Sequence, residues 1–319
     1  MPIPRRRFLQ ATLLLVGLLI AGVPGCNSNS DSKSTSLNQL TIGIVSYDEG
    51  HRSLERYEQL KEYLSNETQS IVQLEPAYNE LQAIDQINRK KWDIVFAPPG
   101  LAALAIDQAL YVPVFPMEEI DTNRRSMLVV KADSPIQSLT DLTNKVVALG
   151  EVGSAAGYYL PLYDLYGLVL SEVRFAPTPK ATLQWLDEGT IDAGALSMGD
   201  FDRYKRDFPE AEFRVLHTSR WIPPGLVLIG PTIERNLQEQ IETALRKAPS
   251  EITFDTGYLP NSPLPDYSQF TQLVKKVVPL RDRVKQKPAV LLFDETSTET
   301  TPTQATPSEA VPTPNEKSP

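Results

Sequence analysis

Short apolar runs alternate with amphipathic segments along this chain, and this alternation restricts the possible fold classes more than any other feature. Leu40–Val45 is an apolar run of strand length, and residues 51–65 then carry apolar side chains at helical spacing. The pattern repeats with strands at 71–74 and 93–97 and helices at 80–88 and 101–110. This β-α-β-α-β order predicts a parallel sheet with helices on its faces.

A second set of α/β elements follows the first. Its strands are predicted at 126–131, 146–149, 173–176 and 193–197, with helices at 158–166 and 181–187. The chain then returns through strands at 213–217 and 226–229 and a helix at 232–247. Two α/β sets and a returning C-terminal segment predict two lobes around a cleft.

The first 25 residues have the pattern of an export signal rather than of a folded element. Arg5-Arg6-Arg7 precedes the uncharged run Phe8–Val23, which is the order of a twin-arginine signal and is too short and wrongly flanked for a membrane span. The run ends at Val23-Pro24-Gly25-Cys26, which is similar to the lipobox of bacterial lipoproteins, although Pro24 is atypical there. We therefore expect residues 1–25 to be removed and Cys26 to be acylated. Cleavage elsewhere and an uncleaved anchor are the alternatives.

Two polar segments are predicted to lie outside the fold. Residues 26–38 form a serine- and asparagine-rich tether, and residues 294–319 form a tail of Thr, Pro, Ser and Glu. The tail carries too few large apolar side chains to offset the entropy of ordering, so we expect it to be disordered. Cys26 is the only cysteine, and an internal disulfide is therefore excluded.

Charge and motif content argue against several classes of protein. The formal net charge is −9, and removal of the three leader arginines makes it −12, which argues against nucleic acid as a partner and against a basic membrane-binding patch. The chain has no G-x-S-x-G, H-E-x-x-H or GxxxxGK[ST] motif, and its two histidines are far apart in sequence. We therefore expect no catalytic activity, no cofactor and no metal site.

The segment Val146–Pro161 carries the strongest local signal for a ligand site. A strand runs into Gly150, a glycine-containing turn follows, and a helix is predicted to begin near Ala155 or Ala156. Ligands of open α/β sheets bind where strands end and helices begin, because the N–H groups of the first helical turn attract anions. Ser154 stands at the N-cap position, where its hydroxyl could face a ligand or simply cap the helix.

Several short segments of the chain resemble one known family in order and spacing. They are Gly43–Tyr47 (GIVSY), Asp93–Pro98 (DIVFAP), Ser138–Leu142 (SLTDL) with Val147–Gly150 (VALG), Gly153–Pro161 (GSAAGYYLP), Gly189–Ala195 (GTIDAGA) and Ile222-Pro223. On these segments the chain resembles the phosphate/phosphite/phosphonate-binding proteins of ABC importers. The resemblance covers about Leu40–Val284.

The resemblance implies an α/β, two-lobed periplasmic binding protein type 2 fold, with two hinge crossings and a cleft between the lobes. Residues 39–123 and 221–293 would form lobe 1, and residues 124–220 would form lobe 2. It also implies an extracytoplasmic solute-binding lipoprotein, a monomer that delivers a small solute to an ABC permease and its ATPase subunit. The alternative is a ligand-sensing or scaffold protein of the same fold that is not dedicated to transport.

The loop that binds the ligand departs from the family pattern. The family's Ser-Thr-Ser-Gly loop reads Ser154-Ala155-Ala156-Gly157 here, so two hydroxyl donors are replaced by methyl groups while the backbone donors remain. Where many family members have a histidine, this chain has Pro179-Lys180-Ala181. Some members have an acid beyond the Ile-Pro pair, and Gly225 stands at that position here. A hydrogen bond to a charged group contributes about 1.5–3 kcal/mol. We therefore expect weak binding of inorganic phosphate and 2-aminoethylphosphonate, unless Lys180 or Arg220 compensates, and a preference for a less anionic or partly apolar solute.

The candidate ligand-binding residues lie at the expected cleft edges of the two lobes. Tyr47 and Tyr78 could line the pocket or pack a loop, and Trp221 could close over a ligand or pack at the hinge. Asp200 could contact a ligand or act as a helix cap, and the turn at Pro98-Pro99-Gly100 could contact a ligand through its backbone. The full set is Tyr47, Tyr78, Pro99, Ser154, Ala155, Ala156, Gly157, Tyr158, Lys180, Ser197, Asp200 and Trp221.

Overall fold

The computed structural model describes residues 38–45, 52–118 and 124–292. The expected export signal, Cys26, the tether up to residue 37, Tyr47 and the C-terminal tail lie outside these residues. Within the described residues, no helix combines the length and the hydropathy that a bilayer crossing requires.

The elements of the described chain alternate much as the sequence pattern predicts. The strands are β1 Gln39–Val45, β2 Ile71–Ala77, β3 Ile94–Ala97, β4 Val112–Pro116, β5 Arg125–Lys131, β6 Val146–Leu149, β7 Val169–Leu170, β8 Glu172–Phe175, β9 Ala193–Ser197, β10 Phe213–Trp221, β11 Leu226–Ile229 and β12 Ala289–Val290. The helices are α1 Arg52–Thr68, α2 Glu80–Asn88, α3 Pro99–Ala109, α4 Leu160–Asp164, α5 Pro179–Asp187, α6 Met198–Tyr204, α7 Arg235–Lys247, α8 Ser250–Thr256 and α9 Ser268–Val277.

Two five-stranded sheets form the two lobes. The first has the order β2-β1-β3-β11-β4, with β1, β2 and β3 parallel and β11 antiparallel to its neighbours. The second has the order β10-β5-β9-β6-β8, with β6, β8 and β9 parallel. The predicted parallel β-α-β-α-β unit of the first lobe is therefore confirmed.

The chain passes between the sheets twice, and the described residues of the first passage lie beside the second. The Met117 N–H donates to the Gly225 carbonyl at 2.8 Å, and the Ile222 N–H donates to the Arg124 carbonyl at 2.9 Å. The first passage joins β4 to β5, and the second joins β10 to β11. Because two adjacent strands of chain connect the lobes, this region can act as a hinge.

The central strands of the first sheet form where the sequence is most continuously apolar. All four residues of β3 and all four of β11 are buried. Inside lobe 1, a Cβ added at Gly43 would lie only 1.9 Å from the buried ring of Trp92, so this strand position accepts only glycine.

Candidate functional site

The segment after β3 in lobe 1 and the turn after β6 in lobe 2 lie next to each other. In lobe 1, β3 ends at Ala97 and α3 begins at Pro99; in lobe 2, β6 ends at Leu149 and a turn leads to Ser154. The prediction that Pro98-Pro99-Gly100 forms a turn before the helix is partly wrong, because Pro99 and Gly100 already belong to the first turn of α3. Proline fits there because the first helical residue needs no N–H donor.

The backbones of the two lobes touch at this edge. A Cβ added at Gly100 would lie 2.0 Å from the Gly153 carbonyl oxygen and 3.0 Å from the Ala155 nitrogen. Real Cβ atoms do not approach backbone this closely, so only glycine allows this contact between the lobes.

Gly153 is restricted in the same way from the other side. Its φ of +113° is one that residues with a side chain rarely adopt, and a Cβ there would lie 2.6 Å from the Cβ of Glu80. Glu80 is the first residue of α2 and is only 6% exposed. The starts of α2 and α3 in lobe 1 therefore both contact the turn before Ser154 in lobe 2.

Ser154 caps the helix start, as predicted. Its hydroxyl oxygen accepts a hydrogen bond from the Gly157 N–H at 3.0 Å, and no acceptor among the described residues takes the hydroxyl proton. The turn closes tightly on the helix, because the Gly150 N–H donates to the Gly157 carbonyl at 2.8 Å. The Ser154 hydroxyl can therefore cap the helix and still donate a hydrogen bond to a ligand.

The helix that follows begins as a π-helical turn over Ala155–Tyr159 and continues as the short α4. The Ser154 carbonyl accepts from both Tyr158 and Tyr159 N–H groups, at 3.1 and 3.0 Å. The predicted helix start near Ala155 or Ala156 is therefore confirmed, whereas the helix predicted at 158–166 has two parts and ends at Asp164. Single π-helical turns inside helices occur frequently at functional sites.

A pair of buried serines connects this turn to the hinge. The Ser126 hydroxyl donates to the Ala156 carbonyl at 2.6 Å, and its N–H donates to the Ser219 hydroxyl oxygen at 2.8 Å. Both serines are 2% exposed. Neither serine was predicted as a site residue, because a serine at a strand end carries no signal for a contact with a segment 30 residues away.

Tyr158 was predicted to bind ligand, but its side chain is almost completely buried. The side chain is 1% exposed, and its hydroxyl has no hydrogen-bond partner among the described residues. It borders a crevice of about 40 Å³ between the lobes, together with Asn88, Gln108 and Arg281. Burial raises the pKa of Tyr158 to about 12, so the hydroxyl stays neutral and can donate to a water, for which the crevice has room.

Three of the remaining candidates have partners within lobe 2. The Lys180 ammonium pairs with Asp207 at 2.7 Å. The Ser197 hydroxyl accepts from the Asp200 N–H at 3.0 Å and donates to the Asp200 carboxylate at 2.6 Å. The cap of α6 is therefore Ser197, and the interpretation of Asp200 as the cap is wrong, because Asp200 lies in the first turn.

The aromatic candidates and Arg220 have different environments. Tyr78 is 58% exposed just before α2, and Trp221 is 42% exposed at the last residue of β10, where the second passage begins. Arg220 lies over the ring of Tyr163 at 4.7 Å, two turns beyond the start of the helix that Ser154 caps. Lys180 and Arg220 were the two cations that could replace the lost hydroxyls. Each of them contacts another side chain of the protein instead of the Ser154 turn.

Two α/β lobes joined by adjacent passages, with strand ends that face each other, define a type 2 periplasmic binding protein. The sequence model of a family described as "ABC transporter, phosphonate, periplasmic substrate-binding protein" matches residues 42–256. The chain belongs to this family, and it is the extracytoplasmic solute-binding component of an ABC importer. The family consists of transport proteins rather than enzymes.

Solved structures have the same fold at low sequence identity. XAC2383 from Xanthomonas citri bound to ATP is 20% identical, with a TM-score of 0.63 over 78% of this chain and 100% of that chain. PhnD1 from Prochlorococcus marinus in complex with methylphosphonate is 17% identical, with a TM-score of 0.54 over 75% and 98%. A phosphonate-transporter binding protein from Pseudomonas aeruginosa is 15% identical, with a TM-score of 0.52 over 77% and 98%. No curated protein sequence matches the chain.

Proposed function

We propose that this protein binds a small solute between the Ser154–Gly157 helix start of lobe 2 and the starts of α2 and α3 in lobe 1. The observation that carries the proposal is the backbone approach of Gly100 to Gly153, because it brings two helix N-termini to one edge of the cleft. Helix N-termini attract negative groups through their N–H groups and dipoles. The solute would therefore carry an anionic head.

The same edge argues for a solute less anionic than phosphate. Ala155 and Ala156 present methyl groups where family members have hydroxyls, and Ala155 is 8% exposed within the core. The backbone N–H groups and the Ser154 hydroxyl remain as donors. A carboxylate or a mono-anionic phosphonate with an apolar substituent fits this arrangement. A thermal-shift screen of the purified mature protein against oxyanions, organophosphonates, amino acids and vitamins would identify the solute class.

Ser154→Ala should weaken binding of the solute found in that screen by about tenfold, because one donor to a charged head is lost. It should also cost about 1 kcal/mol of stability, because the helix loses its cap. Thr178→Ala is the matched control, since Thr178 caps α5 in the same way through the Ala181 N–H at 3.1 Å. Calorimetry should show unchanged affinity in the control. Equal affinity losses in both variants would contradict a ligand contact at Ser154.

We also propose that the mature chain is anchored to the outer face of the cytoplasmic membrane through acylated Cys26 and acts as a monomer with its permease and ATPase subunit. Cys26→Ala should release the protein from the membrane fraction or leave it unprocessed. Immunoblots of membrane and soluble fractions would measure this. Unchanged membrane association and processing in the variant would contradict the lipid anchor.

A separate variant tests the export route. The triple change Arg5→Lys, Arg6→Lys and Arg7→Lys keeps the positive charge of the leader but removes the arginines. It should block export if the twin-arginine route is obligatory. Normal export of this variant would assign the protein to the general secretory route.

A further inference from the structure

A second groove lies away from the Ser154 turn, between the end of α4, the end of β10 and helix α9. It has a volume of about 420 Å³, within the range of pockets that hold small organic ligands. It is lined by Tyr163, Arg220, Gln269, Gln272, Leu273 and Lys276. Two of these residues are cations and none is an acid, although the whole chain has a net charge of −9.

Both cations are held against one aromatic ring. The guanidinium carbon of Arg220 is 4.7 Å from the centre of the Tyr163 ring, and the Lys276 nitrogen is 5.3 Å from the same ring and 4.2 Å from that of Tyr166. A cation over a ring face is attracted to the ring and keeps its charge. Two like charges at one ring repel each other, and an anion between them would relieve that repulsion.

The acid nearest to this pair of cations on the adjoining helix already contacts another residue. Among the described residues, neither Arg220 nor Lys276 forms an ion pair. The closest acid on the adjoining helix is Asp164, whose carboxylate contacts the His217 ring at 3.1 Å. Burial raises the pKa of Asp164, and the charges of His217 and Arg220 oppose that rise. The outer faces of both cations are therefore open to a ligand.

Helix α9 contributes a polar stripe to the groove. Gln269, Gln272, Leu273 and Lys276 follow the i, i+3, i+4, i+7 spacing that places side chains on one helix face. The two amide groups can donate hydrogen bonds, and Leu273 supplies an apolar floor. The neighbouring Lys275 faces elsewhere, since it pairs with Asp107 at 3.5 Å and is 71% exposed.

We propose that this groove is a second ligand site, which binds the phosphate ester group of an organic phosphate. Arginine binds two oxygens of a phosphate in a fork, and the lysine adds a point charge on the other side. The amides of Gln269 and Gln272 complete the set of donors, and Leu273 lies beside the organic part. Because Arg220 belongs to lobe 2 and α9 to the returning part of lobe 1, a bound phosphate ester joins the two lobes.

The test uses phenyl phosphate as the soluble probe and two variants of the full mature protein. Arg220→Gln with Lys276→Gln should reduce the affinity measured by calorimetry at least tenfold, whereas Lys275→Gln should leave it unchanged. Phenyl phosphate should also slow the acetylation of Lys276, but not of Lys275, when peptides are analysed by mass spectrometry. The acetylation readout distinguishes this groove from the cleft at Ser154.

Vesicles of phosphatidylcholine with and without phosphatidylglycerol distinguish a lipid headgroup from a soluble ester. Binding that depends on Arg220 and Lys276 supports the site in either arm and assigns the source of the phosphate. No protection of Lys276 in either arm, or an equal loss of affinity in Lys275→Gln, would overturn the proposal.

Discussion

Replacing Gly100 by alanine should leave lobe 1 folded but keep the two lobes apart. Gly100 lies in the first turn of α3 without a positive φ, and alanine is favoured over glycine inside a helix by about 1 kcal/mol. The new Cβ would, however, lie 2.0 Å from the Gly153 carbonyl oxygen, which is a backbone atom that cannot rotate away. The lobes must therefore separate.

With solute present, small-angle scattering should show a larger radius of gyration for Gly100→Ala than for the wild type, because solute should compact the wild type but not the variant. Affinity for the solute should fall at least tenfold, because binding between two lobes gains its energy from contacts with both. The melting temperature should change little. Wild-type scattering and affinity in the variant would contradict closure through this contact.

Gly43→Ala is the matched control, because it introduces an equally severe clash inside one lobe. The Cβ would lie 1.9 Å from the Trp92 ring, and Trp92 is completely buried. Overpacking of this kind costs about 1–3 kcal/mol of stability. We therefore expect a lower melting temperature in Gly43→Ala but a compact protein, which is the opposite of the pattern expected for Gly100→Ala.

Restoring the hydroxyls of the binding loop should change the selectivity of the protein. Ala155→Thr with Ala156→Ser should raise the affinity for methylphosphonate by about 1–3 kcal/mol, because two donors return to a helix start that already offers N–H groups. The two substitutions should affect the stability of the protein differently. Ala156 is half-buried and accommodates serine, whereas Ala155 is 8% exposed and threonine there adds volume to a packed site.

Calorimetry with methylphosphonate and inorganic phosphate on the wild type, Ala156→Ser and the double variant would measure the effect. Ala181→Ser is the control, because it adds a hydroxyl to the first turn of α5 in the same lobe. It should leave both affinities unchanged. Tight binding of inorganic phosphate by the wild type would contradict this prediction, because it would show that the loop hydroxyls are not needed for phosphate affinity.

Buried strands and helices were predictable because their signals are local. The bounds of β6, β9, β11 and α2 are those predicted, since a continuous apolar run or an apolar helical stripe needs no information from elsewhere in the chain. Strand β4 was not predicted, because its sequence Val112–Pro116 contains two prolines. It lies at the edge of its sheet, where missing N–H donors are tolerated.

The sequence by itself determined the α/β alternation and the capped helix start at Ser154, because both depend on neighbouring residues. Only the tertiary structure decided that Gly100 meets Gly153, that Lys180 is paired with Asp207, and that Arg220 and Lys276 share one tyrosine ring. These contacts join residues distant in the chain, so their distances follow from how the lobes and helices pack. No local pattern of side chains encodes that packing.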